Sequence, residues 1–266
     1  FSVALSLQMY SYGAALPFTT YGGFPSPISY GSGFGSFSAP PYSIASTAYS
    51  GGLVSFPAAS YPQPTAVSPK PKLHYFGIAG RGETARLICA AGELEFEDDA
   101  WVPAFEDGGW RQGYQEIGKS YGFPGTMPIL VHGDLKLFQH NAVESYLASI
   151  APKFAFLTPA QKAIDLMLCM TKADILGNCE SLLFKKIDGE QLLAALDKQF
   201  PLLEGLLPEA GFVNGLGFPT CADCAVLVVA KGCMPFQAAM KLAGFDWVGK
   251  FPKIERIAAE AAAYPP

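Results

Sequence analysis

The stretch KLHYFGIAGRGETAR, from Lys72 to Arg86, decides the fold. Its first part, LHYF, is short, apolar and aromatic, as a strand is. Glycines at 77, 80 and 82 then punctuate the chain. From Arg81 to Ala91 the pattern turns helical, with Leu87, Ile88 and Ala91 facing inward.

Outward from this run the alternation continues. LEFEDDAW (Leu94 to Trp101) reads as a strand, and Phe105 to Ile117 as a weak helix or loop. PILV (Pro128 to Val131) and LKLF (Leu135 to Phe138) flank His132, Gly133 and Asp134, which predicts a hairpin with a tight turn. A helix follows from Asn141 to Ile150. After Pro152 no strand is evident. Pro159 to Asn178, Gly189 to Leu206, Thr220 to Lys231 and Pro252 to Ala263 read as helices, the first capped by Thr158 with proline at the opening helical position.

Residues 1–69 are a different polymer. They carry no Asp, Glu, Lys, Arg or His, and consist of Ser, Gly, Pro, Ala, Tyr and Phe with a few aliphatics, as in GSGFGSFSAPPYS (Gly31 to Ser43). Such low complexity predicts disorder, while 13 aromatics make the segment adhesive rather than well solvated. All 18 basic and 23 acidic residues lie beyond it, in a body long enough to bury a substantial core. The sequence opens on Phe1 rather than Met, which reads as processing or an incomplete reading frame, with Met9 a candidate start. FSVALSLQ lacks the basic region of a secretory signal, and the absence of Arg and Lys argues against an ordinary transit peptide.

A net charge of −5 without a basic patch speaks against a nucleic-acid partner. No apolar run reaches the roughly 18 residues of a transmembrane helix. The six cysteines are scattered through helices of a chain too large to need staples, which points to free thiols in a cytoplasmic or other reducing compartment, an organelle included. Cys221-x-x-Cys224 has redox spacing, but no second pair or clustered histidine completes a zinc site, and the three histidines, His74, His132 and His140, lack metal-ligand spacing. No metal is expected.

The run from Lys72 to Arg86 resembles the first strand, turn and helix of a cytosolic glutathione transferase of the tyrosine type, closest to the sigma class. The resemblance covers residues 70–266. It implies a thioredoxin-like α/β domain at 70–151 and an all-helical domain at 152–266, behind the low-complexity extension at 1–69. It also implies glutathione as co-substrate, a small electrophile, and a homodimer. Tyr75 matches the tyrosine whose hydroxyl meets the glutathione sulfur; donation to the thiolate would lower a thiol pKa of about 8.5. No Ser, Cys or Thr stands between Phe76 and Gly82 to take that part instead. Arg81 matches the arginine that supports the tyrosine and the thiolate electrostatically.

Further motifs carry the resemblance along the chain. Met127-Pro128, in GTMPIL, matches a cis-proline segment that exposes the preceding backbone N–H and C=O to the cysteinyl part of glutathione, like an added strand. Gln139-His140 stands where the family carries Gln-Ser at a helix start, holding the γ-glutamyl carboxylate. At His140 an imidazole N–H can donate instead, a protonated ring would add charge, and its bulk can equally obstruct. Lys119, nine residues before Pro128, matches the lysine for the glycine carboxylate, but Gln115 stands where a tryptophan is usual, leaving Trp110 or Trp101 as substitutes. Thr220-Cys221-Ala222-Asp223, after Phe212-Val213-Asn214-Gly215, matches the family's helix-capping signature, in which Thr220 caps and Asp223 reaches back. The electrophile pocket is expected between the domains, lined partly by the helix from Asp165 to Lys172.

Two functions follow as expectations: a transferase in which Tyr75 activates the thiol, or a non-catalytic subunit of the same fold, docked through residues 1–69 into a large cytoskeletal or organellar assembly.

Overall fold

The computed structural model describes residues 69–101 and 116–265. Most of the extension, most of the weak helix expected at 105–117, and both Trp110 and Gln115 lie outside the described residues. Residues 116–120 are helical.

Strand β1 (Lys72–Phe76) alternates as the sequence predicts, with Leu73 and Tyr75 sharing a face opposite His74. It leads through the glycine turn into α1 (Glu83–Ala91), which buries Thr84, Ala85, Ile88, Cys89 and Ala91. The expected strand at Leu94 to Trp101 begins only at Glu97, as β2 (Glu97–Trp101). The hairpin forms as β3 (Ile129–His132) and β4 (Leu135–Phe138), turning on Gly133, whose φ of 60° suits a residue without Cβ. The sheet order is β2-β1-β3-β4, with β1 and β2 parallel and the other pairs antiparallel. α2 (His140–Ile150) follows β4 directly. One core gathers Leu73, Ile88, Leu130, Val143 and Leu147, and continues into Cys169, Cys221, Cys224 and Ala225 of the helical part.

The helical part is α3 (Pro159–Leu183), α4 (Gly189–Leu206), α5 (Cys221–Leu227), α6 (Met234–Ala243) and α7 (Pro252–Ala263). α3 starts on a reciprocal capping box between Thr158 and Gln161. Every residue of α5 is buried, as befits a helix apolar on all sides. The expected helix at Thr220 to Lys231 is thus α-helical only to Leu227, and Val228–Gly232 continues it as π-helix. Around α5 a second core collects Leu168, Ile175, Leu192, Leu196, Val226 and Ile257. Phe200 sits at its edge with Phe245, Phe251 and Trp247 at ring-centroid distances of 4.9, 5.4 and 5.7 Å.

Two features differ from the sequence reading. α3 runs five residues past Asn178, and α6 was not expected at all. Pro235 near the start of α6 and Gly244 at its end, with φ of 71°, are the signals that bracket it. Among the described residues no single helix is long and apolar enough to cross a membrane.

Candidate functional site

Tyr75 closes β1 with its ring 6% exposed. The Arg81 backbone N–H donates to its hydroxyl oxygen at 2.7 Å. Burial pushes the phenol well above its ordinary pKa. The group is therefore a protonated hydroxyl whose oxygen already accepts one bond and whose own proton is available to a ligand. Gly80 and Gly82 make room for it: a Cβ at Gly80 would lie 2.5 Å from the Tyr75 hydroxyl oxygen, and one at Gly82 2.5 Å from its ring. The glycines flanking Arg81 are thus required by the tyrosine.

Arg86 holds the turn. It donates to the carbonyls of Phe76 (2.8 Å) and Ile78 (3.1 Å) and pairs with Asp98 at 2.8 Å. Its guanidinium also lies 5.6 Å from the centre of the Tyr75 ring, within cation–π range.

The Arg81 side chain turns away from Tyr75. Its Nε donates to Glu180 Oε1 at 2.9 Å, and a second guanidinium nitrogen pairs with the other Glu180 oxygen. The third reaches His140 Nδ1 at 3.2 Å. Support for Tyr75 thus comes through the Arg81 backbone, while the Arg81 charge is balanced by Glu180 on α3. The contact with His140 assigns a tautomer, because a guanidinium only donates. Nδ1 must accept, so Nε2 carries the proton. That Nε2 is buried and has no partner among the described residues.

His140 opens α2 and is 6% exposed. Burial, reinforced by the charges of Lys172 and Arg81, pushes its pKa down to about 3. The imidazolium anticipated from sequence is therefore disfavoured, and the residue offers a neutral N–H. The preceding Gln139 is exposed and has φ of 74° and ψ of 115°, a conformation that costs a non-glycine residue on the order of 1–3 kcal/mol and clusters at ligand sites.

Sheet register aligns the remaining elements. His74 pairs with Ile129 and Ile129 with Phe138, so one step further Tyr75, Pro128 and Gln139 fall in one row. The Met127–Pro128 bond is cis, and Pro128 is buried. Lys119 is exposed in the helical turn at 116–120, and no hydrogen bond among the described residues joins its side chain to the Tyr75 group.

Behind His140 lies an ion pair that sequence reading missed. Lys172 donates to Glu144 Oε1 at 2.5 Å and to the Thr84 hydroxyl at 2.9 Å, with both charged side chains 2% exposed. It ties α3, α2 and α1 together. The signal was present: each charge interrupts an apolar helical stripe, Leu168, Lys172, Ile175 in one case and Val143, Glu144, Leu147 in the other. Asp165, at the other end of the expected pocket wall, is also buried and accepts from Thr220 Oγ1 (2.6 Å), Asn214 Nδ2 (2.9 Å) and the Ala222 N–H (3.0 Å). The side chains of Asp165 and Lys172 therefore serve the interior of the fold.

The capping signature forms as expected. Asp223 accepts from the N–H groups of Thr220 and Val213, each at 2.8 Å, fixing the glycine loop to the start of α5. Cys221 and Cys224 are free, buried thiols raised far above the ordinary range by burial, which leaves little thiolate for redox chemistry.

No family model and no curated protein matches the sequence. Solved structures do match. A glutathione S-transferase of Caenorhabditis elegans is 25% identical, with a TM-score of 0.56 over 74% of this chain and 94% of that one. The Pi-class glutathione S-transferase of Onchocerca volvulus is 19% identical, with a TM-score of 0.56 over 73% and 88%. A monomeric glutathione S-transferase of the hookworm Necator americanus is 21% identical, with a TM-score of 0.55 over 74% and 93%. The mixed four-stranded sheet, the helical part packed on α1, and these neighbours together establish that the chain has the glutathione S-transferase fold.

Proposed function

We propose that this chain is a glutathione transferase of the tyrosine type, akin to the sigma class, that joins the glutathione sulfur to an electrophile. The observation that carries the reading is Tyr75: a buried, protonated hydroxyl whose oxygen accepts from the Arg81 N–H and whose proton is free to face a ligand. In the proposed step the glutathione thiol loses its proton to solvent, and the Tyr75 hydroxyl donates to the resulting thiolate. The sulfur lone pair attacks the electrophilic carbon, and the leaving group departs with its electron pair. Tyr75 keeps its own proton throughout, which its raised pKa favours.

The groups around it suit the rest of the tripeptide. His140 Nε2–H, a donor without a partner at the start of α2, is proposed to hold the γ-glutamyl carboxylate beside Gln139. The backbone of Met127, before cis-Pro128, is proposed to pair with the cysteinyl unit, and Lys119 to meet the glycine carboxylate. Pairing into a homodimer is part of the proposal, and sedimentation of the purified chain tests it.

Capture on immobilised glutathione and a general conjugation assay test the activity. Wild type is expected to bind and turn over, and Tyr75→Phe to bind with kcat lower by about a hundredfold, the loss of one positioned donor. Absence of binding and turnover in the folded wild type would sink the proposal.

A further inference from the structure

Between α2, α3 and the start of α5 lies a cavity of about 120 Å³ that takes no wall from Tyr75, Arg81 or His140. Its walls are mainly apolar, from residues such as Ile88, Ala148 and Leu166, with Ser145 exposed at the mouth. Two buried carboxylates, Glu144 and Asp165, line it as well, together with Asn141.

The floor is rich in acceptors that the protein does not satisfy. Glu144 is 2% exposed, and its Oε2 has no hydrogen-bond partner among the described residues; the same holds for the buried Asn141 Oδ1. Glu144 Oε1, by contrast, is committed to Lys172. An orphan carboxylate oxygen in a buried position is costly unless something donates to it. Charge points the same way. Lys172 balances only one of the two carboxylates, and Asp165 is met by neutral donors alone, namely Thr220, Asn214 and the Ala222 N–H. A group that fills the cavity well would therefore bring hydrogen-bond donors and one positive charge. The volume is of the order needed by a benzene-sized body.

The geometry points to a second ligand site here: the cavity takes a compact apolar molecule bearing a primary ammonium, which donates to Glu144 Oε2 and Asn141 Oδ1 while its body rests on Ile88, Ala148 and Leu166. This inference is independent of the glutathione reading, because the two sites share no residue.

The probe is benzylamine, with toluene and benzyl alcohol as controls of similar shape, titrated calorimetrically into the full chain at neutral pH. Benzylamine is expected to bind saturably and to exceed both controls by about ten- to a hundredfold, the usual worth of a hydrogen bond to a charged group. Ser145→Trp closes the mouth from an exposed position, so the fold should persist, and it is expected to weaken benzylamine by about tenfold or more. Glu144→Gln should weaken it similarly, with circular dichroism verifying the fold. Toluene or benzyl alcohol binding as well as benzylamine would overturn the proposal. So would benzylamine binding that Ser145→Trp leaves unchanged, or the absence of saturable binding, which would mean that the cavity holds only water or is plugged by a second copy of the chain.

Discussion

Two glycines and one histidine show how much at this site hangs on single residues. A Cβ at Gly80 or Gly82 would come within 2.5 Å of Tyr75, so neither position tolerates alanine without moving the ring. Gly82→Ala is expected to lower thermal stability by about 1–3 kcal/mol through overpacking. It should reduce conjugation far more than that loss explains, and melting curves beside kinetics of the folded variant separate the two. His140 gives a pH signature. Its folded-state pKa of about 3 lies below the 6.5 of an unperturbed histidine. Below 6.5 the unfolded chain takes up a proton that the folded chain refuses, so stability falls as pH drops toward 3, by about 1.4 kcal/mol per pH unit. His140→Gln removes that contribution. Denaturant melts between pH 7 and pH 4 should therefore show wild type losing ground to the variant as pH falls, and parallel curves would contradict the burial argument. At this scale the sequence was legible where the logic is local. Tyr75, Gly80, Arg81 and Gly82 lie within one turn of chain, and their spacing reads directly. The link from Arg81 to Glu180 spans 99 positions, and that to His140 spans 59, so no local pattern could announce either.

At the scale of elements, the pair Lys172–Glu144 binds three helices at a point where the chain could have used apolar residues. Removing one partner leaves a buried charge, and Lys172→Met is expected to cost about 3–5 kcal/mol. The double variant Lys172→Met with Glu144→Leu should recover most of that loss, because two apolar side chains of similar size replace the pair. Equal destabilisation of single and double variants in urea melts would show that packing, not charge, sets the cost. Helix boundaries read from sequence held best where side chains declare them, as with Thr158 and Asp223. α6 went unread because Gly232 and Pro235 stand close together and read as a break. They instead mark the junction between the π-helical end of one helix and the first turn of the next. The late start of β2 is a register effect: Lys72 pairs with Glu97, so residues before Glu97 find no strand partner.

Across the molecule, the β1–α1 turn with its tyrosine is held between two layers. Strand pairing fixes Tyr75 from one side, and Glu180 on α3 fixes Arg81 from the other, so the hydroxyl is positioned by both parts of the fold at once. A preorganised donor of this kind acts by stabilising charge that develops on a ligand, and a bound thiol reports it directly. The decisive measurement is the pKa of the glutathione thiol in the binary complex, followed by thiolate absorbance against pH in wild type and in Tyr75→Phe. The predicted result is a bound thiol at least about one unit below the free value of about 8.5, returning toward that value in Tyr75→Phe while glutathione stays bound. A bound thiol with an unshifted pKa, or the same shift in both proteins, would contradict the role assigned to Tyr75.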